Sequence, residues 1–253
     1  GVAVYAETLL TPTGRGRSTY VDMILRTAAL EDSLLGIDQA NVFYSDWPGG
    51  NAAYYYGGPF HLWLKDKFGI EGVRDLHRLN ASMPLPYIYW PTSKYLFGEG
   101  LASLWSQWQE DLTKKARDHQ KKVTDLGLTP SRRITTHGRN ITGSRYSPDG
   151  TYIIYSRSSP VDGATVRRVD RNGDNDRYLV LETYSRRFSF ETKGEGFYFS
   201  QNATNNRFNN FNDIYRYDLK EQSQTRLVDA QHPKTSLRAR DPHVSSDSKH
   251  LVF

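Results

Sequence analysis

A catalytic zinc needs three protein ligands and one open position for water. The motif H-E-x-x-H meets most of that need on a single helix face, with two imidazoles as ligands and a glutamate between them as general base. This chain of 253 residues has no such motif. Its histidines stand at 61, 77, 119, 137, 232, 243 and 250; His61 is followed by Leu62-Trp63-Leu64 and His77 by Arg78-Leu79-Asn80. Taken singly, each is read as a packing or surface residue. The absence of cysteine excludes disulfides, thiolate metal sites and cysteine nucleophiles. Three other features could carry chemistry: the run Tyr54-Tyr55-Tyr56-Gly57 ahead of an apolar stretch, Arg15 and Arg17 in a glycine-rich loop, and Glu7 in the opening heptad Gly1-Val2-Ala3-Val4-Tyr5-Ala6-Glu7. The two arginines either reach a substrate carboxylate or simply solvate the loop.

The elements that must hold these residues fall into two textures. Residues 1–122 carry 13 basic and 13 acidic side chains, whereas residues 123–253 carry 20 and 15, mostly through added arginine. The first part reads as helices. Ser18 is an N-cap for a helix running to about Leu35, with Val21, Ile24, Leu25, Ala28 and Ala29 on its buried face and Gly36 as its stop. After the turn Asp46-Trp47-Pro48-Gly49-Gly50, a second helix carries Tyr54, Phe60, Leu64 and Phe68 and ends at Gly69; a third spans about Glu71 to Leu79. Pro84 to Pro91 is predicted to be non-helical. A last helix begins near Gly98, carries Leu101, Leu104, Trp105, Trp108 and Leu112, and turns basic and polar towards a linker at 123–132.

From about Arg133 the chain changes to short strands rich in Tyr, Phe, Ile and Val between Gly, Asn and Asp turns. A repeat is visible in Tyr146-Ser-Pro-Asp-Gly-Thr-Tyr-Ile-Ile-Tyr155. A degenerate copy spans Phe188 to Phe199 and a third spans His243 to Phe253, with strand ends 44 and 54 residues apart. That step suits one four-stranded propeller blade with its loops. The Asp149-Gly150 pair is turn chemistry, not catalysis. Asp213 to Leu219 fits a third strand of the second blade, and the asparagine-rich stretch 202–213 reads as an inter-strand loop. The patterns Asn140-Ile-Thr142 and Asn202-Ala-Thr204 are not read as glycosylation sites. With about two blades and the start of a third, and an opening that lacks a lead-in, the chain reads as a fragment.

Gly1-x-Ala3-x-Tyr5-x-Glu7 resembles the segment that follows the third zinc ligand of gluzincin metallopeptidases. In these, Glu-Gly-x-Ala-x-Tyr-x-Glu lies on a helix downstream of H-E-x-x-H. The resemblance implies that the glutamate ligand directly precedes Gly1 and that Glu7 and Tyr5 support it from behind, Glu7 alternatively as an ion-pair partner. Tyr54-x-x-Gly57 matches the tyrosine whose hydroxyl stabilises the oxyanion, the alternative being aromatic packing. Gly14 to Ser18, Asp46 to Asn51, Tyr56-Gly57-Gly58-x-Phe60, Phe68-Gly69 and Phe97 to Trp108 follow in order. Together they resemble the part beyond the ligand in bacterial envelope proteins that join a gluzincin-like (peptidase MA-like) domain to a TolB-like propeller. The aromatic stretch Pro84 to Tyr95 departs from that pattern.

The expected fold class is therefore α+β and multi-domain. A helical C-terminal part of a gluzincin-like domain (1–122) precedes a linker (123–132) and antiparallel propeller blades (133–253). The resemblance implies a zinc-dependent peptide hydrolase of the bacterial envelope, periplasmic or envelope-associated. Zinc belongs to the longer family pattern, and no metal ligand is expected within this chain, which is expected to be inactive alone. Arg15 and Arg17 are the candidate substrate contacts. The expected partners are proteins or peptides bound by the propeller, or anionic envelope components. A catalytically degenerate binding or scaffold protein is the alternative. Nucleic acid is not expected: the pairs Arg132-Arg133, Arg167-Arg168 and Arg186-Arg187 are scattered and match no recognised motif. A mean hydropathy of −0.68 and the lack of any run near ~18 apolar residues do not suit a membrane-spanning chain.

Overall fold

Val4, Tyr5 and Thr8, at helical spacing, are buried together on helix α1 (Val2–Leu10), while Val2 and Ala3 of the opening heptad are exposed. The computed structural model describes residues 1–42, 48–86, 88–136, 140–159, 163–181, 187–205, 208–228 and 239–253. Asp46, Trp47, His137, Arg186 and His232 lie outside the described residues. The chain divides into two units, Gly1–Pro130 and Ser131–Phe253.

In the first unit Ser18 caps α2 (Thr19–Leu30), its hydroxyl accepting from Val21 N at 3.4 Å, and the five expected residues form the buried face. The helix ends at Leu30, not near Leu35. Asp32 takes φ +49, and Ser33 N donates back to Ala28 O at 2.8 Å, which closes the last turn in the left-handed manner. Gly36, expected as the stop, instead opens α3 (Ile37–Ala40), where the Gln39 side chain accepts from Gly36 N at 3.1 Å. After α4 (Ala52–Tyr55), α5 (Gly57–Ala81) is two helices broken at Gly69, whose φ of 76° and ψ of 170° no helix allows. The stretch expected to be non-helical gives up its end to α6 (Tyr89–Phe97). Pro91 sits in the first turn of α6, where its missing N–H would have had no partner in the helix. The last helix, α7 (Leu101–Asp125), turns Leu104, Trp105 and Trp108 inward and continues past residue 122.

Tyr56, Phe60, Trp105 and Trp108 form the aromatic centre of this unit; Phe60 and Trp108 each lie 4.8 Å from Trp105 between ring centroids. The Trp105 indole N–H is satisfied by Leu35 O at 3.1 Å. Helix α1 approaches α5 closely because residue 58 is glycine: a Cβ there would stand 2.5 Å from Val4 Cγ1.

The second unit holds two four-stranded antiparallel sheets whose strands pair in sequence order. One is β1 (Asn140–Tyr146), β2 (Tyr152–Ser158), β3 (Thr165–Asp170) and β4 (Arg177–Leu181). The other is β5 (Phe188–Phe190), β6 (Gly196–Asn205), β7 (Asn209–Asp218) and β8 (Ser223–Arg226). A two-stranded sheet follows, β9 (His243–Val244) with β10 (Leu251–Val252). The first strands neighbour one another, β1 against β5 and β5 against β9, as they do when blades radiate from a common axis. The described residues form no closed ring. Strands begin at Asn140 rather than near Arg133.

All three expected repeats share one turn. Gly150 N donates to Ser147 O, Gly194 N to Glu191 O and Ser248 N to Ser245 O, each at 2.9 Å. The closing residues have φ of +70, +71 and +57°. Asp149 accepts from the Ser147 hydroxyl and from Thr151 N, and Asp247 accepts from Ser245 and Lys249 N in the same way. Their carboxylates are turn caps. The described residues of the asparagine-rich stretch are largely strand instead of loop: 202–205 pair with 209–212 in the β6–β7 hairpin. Its hydrogen-bonding side chains join the ladder, Thr204 donating to Asn210 Oδ1 at 2.9 Å.

Candidate functional site

The helical unit contains a cleft of about 400 Å³ with mostly apolar walls, among them Ile37, Phe60 and Leu101. Its polar groups include the side chains of Asn41, His61, His77 and Tyr89 and the ammonium of Gly1. Both histidines belong to α5, on opposite sides of the break at Gly69. On an unbroken helix, residues 16 apart would be separated by about 24 Å; here their Nε2 atoms are 3.0 Å apart. Tyr89, the first residue of α6, is held over His77 by the loop before it. The buried Asn80 side chain donates to Pro86 O and accepts from the Thr92 hydroxyl at 3.3 Å, tying α5 to α6 on both sides of that loop.

The direction of the hydrogen bonds is fixed from one end. His61 Nδ1 lies 2.6 Å from Gly57 O, and a carbonyl can only accept, so Nδ1 carries the proton. In neutral His61, Nε2 is then bare and accepts from His77 Nε2–H at 3.0 Å. His77 Nδ1 is bare in turn and accepts the Tyr89 hydroxyl at 3.2 Å. This order needs both rings neutral. Burial supplies that, lowering the His61 pKa to about 4 against the opposing pull of the Gly57 carbonyl, and lowering that of His77 as well.

Of the residues singled out from sequence, Tyr5 packs beside a cleft histidine, while Glu7, Arg15, Arg17 and Tyr54 do not line the cleft. Tyr5 is buried with its ring 6.0 Å from His61; its hydroxyl has no hydrogen-bond partner among the described residues, and burial raises its pKa. Glu7 is taken up by Arg15, accepting from Arg15 N at 2.9 Å and from its guanidinium at 3.0 and 2.8 Å. Those hydrogen bonds hold the Glu7 carboxyl below its ordinary pKa. The Arg15 guanidinium also lies 5.0 Å from the centre of the Tyr54 ring, which is half-exposed and does not line the cleft. Arg17 donates to Thr8 O and, at 2.8 Å, to Thr11 O. The Gly-Arg-Gly-Arg loop thus wraps the end of α1, and its glycines are required by closeness: a Cβ on Gly14 would come within 2.3 Å of Thr8 Cα.

Structure therefore brings together Glu7, Arg15 and Tyr54, and separately His61, His77 and Tyr89. The second group escaped the sequence reading because a ligand motif was sought within one helix. The available signal was symmetry: His61 and His77 stand eight residues on either side of a helix-breaking glycine. Among the described residues no three His, Cys, Asp or Glu side chains converge on one point, so these residues do not fit a three-ligand catalytic zinc.

No protein-family model matches the chain, and no curated protein matches it. Solved structures resemble part of it. A TolB from Acinetobacter baumannii shares 16% identity over 44% of this chain and 26% of its own, with a TM-score of 0.36. The tricorn protease shares 12% over 44% and 10%, with a TM-score of 0.37. An oligogalacturonate lyase in complex with manganese shares 17% over 49% and 35%, also at 0.37. The chain thus spans about a third or less of the length of each. No helix among the described residues is long and apolar enough to cross a membrane.

Proposed function

We propose that the helical unit is the part of a zinc-dependent peptide hydrolase that follows its zinc ligands, and that the strand-rich unit is a propeller module that binds a protein partner or substrate in the bacterial envelope. The observation that carries this reading is the position of Gly1. By the gluzincin resemblance it directly follows the glutamate ligand, and it lies on the wall of the cleft that His61, His77 and Tyr89 line. Apolar walls with a few polar groups suit a peptide side chain and its backbone. By the resemblance Tyr54, outside this cleft, is the proposed oxyanion donor, its ring steadied by Arg15, while Glu7 acts through Arg15 and Arg17 shapes the loop. The described residues offer no ligand set, so no step of hydrolysis is assigned through the metal.

The test is hydrolysis of a fluorogenic peptide library by the full-length protein, with and without a zinc chelator. Chelator-sensitive hydrolysis is expected, with kcat falling roughly 10²-fold or more in Tyr54→Phe and KM little changed. A zinc-loaded, folded full-length protein that cleaves no peptide overturns the reading. The second reading is a binding or scaffold protein acting through the strand-rich unit. It predicts a folded full-length protein that hydrolyses no peptide, with or without added zinc.

A further inference from the structure

We propose that His61 and His77 form a two-imidazole clamp for a borderline divalent cation, Zn(II) or Co(II), in the wall of the helical cleft, with the remaining coordination positions left to water or a bound anion. Three observations converge on it. The first is spacing. Two nitrogens at ~2.05 Å from one tetrahedral zinc lie about 3.3 Å apart, with imidazole centres about 5.2 Å apart. The observed separations are 3.0 Å between Nε2 atoms and 5.1 Å between ring centroids. Admitting an ion therefore asks for a few tenths of an ångström in separation and a rotation of both rings that turns their Nε2 lone pairs towards one point.

The second is orientation. Metal-bound histidines as a rule use their other ring nitrogen to reach an oxygen that fixes the ring. Gly57 O stands 2.6 Å from His61 Nδ1, and the Tyr89 hydroxyl oxygen 3.2 Å from His77 Nδ1. The third is readiness and access. Both rings line the cleft, and the neutral imidazole is the ligating form.

Binding balances without gain or loss of protons. His61 already offers a bare Nε2. His77 moves its proton from Nε2 to Nδ1, and the Tyr89 hydroxyl turns to accept that Nδ1–H. The hydrogen bond between the two Nε2 atoms is exchanged for two metal–nitrogen bonds.

The inference does not rest on the hydrolase reading. Its test uses the 253-residue chain and no peptide, and its failure would leave hydrolysis by the full-length protein untouched. Zn(II) titrated calorimetrically should bind with one equivalent and saturate in the micromolar range. Co(II) should give the visible bands of a tetrahedral site. His61→Ala and His77→Ala should each abolish saturable binding, and Tyr89→Phe, which cannot accept from Nδ1–H, should weaken it by roughly 10- to 100-fold. Absence of saturable binding in the wild type, or binding unchanged in both histidine variants, overturns the proposal. If an alanine variant fails to fold, 15N spectra of the wild-type imidazoles decide. Zn(II) should shift both Nε2 resonances as ligands and turn His77 Nδ1 into a protonated nitrogen; unchanged Nε2 resonances at saturating Zn(II) overturn the proposal equally.

Discussion

His61 and His77 meet Nε2 to Nε2 at 3.0 Å because Gly69, midway between them, turns α5 back on itself. Its φ of 76° with ψ of 170° lies in a region that essentially only glycine occupies. Gly69→Ala should cost about 1–3 kcal/mol in denaturant unfolding and separate the two rings. The His77 Nε2–H proton resonance, shifted by its hydrogen bond, reports the separation. A variant of wild-type stability that keeps this resonance would mean that the elbow does not constrain the pair.

Acid should destabilise the helical unit through His61. Its pKa is lowered from an ordinary 6.5 to about 4 in the fold, chiefly by burial. Between those values the unfolded chain binds more protons than the folded one, so stability rises with pH. The contribution is fully present above pH 6.5 and is lost as pH falls towards 4. Its size is on the order of 3 kcal/mol. Urea unfolding in EDTA at a series of pH values measures it, and His61→Gln should flatten the dependence over this window.

The loop around the end of α1 should tolerate no added carbon at its first glycine. Gly14→Ala places a Cβ 2.3 Å from the Thr8 backbone, where nothing flexible can yield. A loss of about 1–3 kcal/mol is expected by overpacking. Gly163→Ala is the neutral comparison, since among the described residues a Cβ there would meet only Leu181 Cδ1 at 3.9 Å. Equal melting temperatures for the two variants would contradict the described packing.

Ser248 occupies the left-handed position that its repeat partners give to Gly150 and Gly194. Its hydroxyl accepts from Thr192 N at 3.0 Å and donates to Thr192 Oγ1 at 2.9 Å, so a strained residue fastens the third repeat to the second. Ser248→Gly loses the bonds and relieves the strain; Ser248→Ala loses the bonds and keeps it. The alanine variant should therefore be less stable than the glycine variant by about 1 kcal/mol in denaturant unfolding. The reverse order would show that the turn at 248 is not left-handed.

What could be read in the sequence was what depends on near neighbours. Ser18 as a cap, the buried face of α2, the break at Gly69 and the three turns at 147–150, 191–194 and 245–248 are all set within a few residues. The misread boundaries have competing local causes. Asp32 accepted a left-handed conformation before Gly36 was reached, and Pro91 fell in the one helical turn that needs no amide. The asparagine-rich hairpin was hidden because its pairing is polar, so no apolar alternation marks it. His61, His77 and Tyr89 were out of reach for a different reason. Each is unremarkable on its own helix, and their meeting depends on how far the chain folds back at Gly69.

That elbow has one more property. A Cβ built on Gly69 would find nothing within 4 Å among the described residues, so space is not what excludes a side chain there. Handedness is. The mirror image of its torsions is ordinary extended backbone for an L-residue, so a D-alanine at 69 would sit without strain in the conformation that L-alanine refuses. Introduced by semisynthesis, it should leave the cleft unchanged and stabilise the fold by about 0.4–1 kcal/mol, because it narrows the choices of the unfolded chain alone. The bend that joins the two histidines is a matter of chirality, and a single inverted centre would make it permanent.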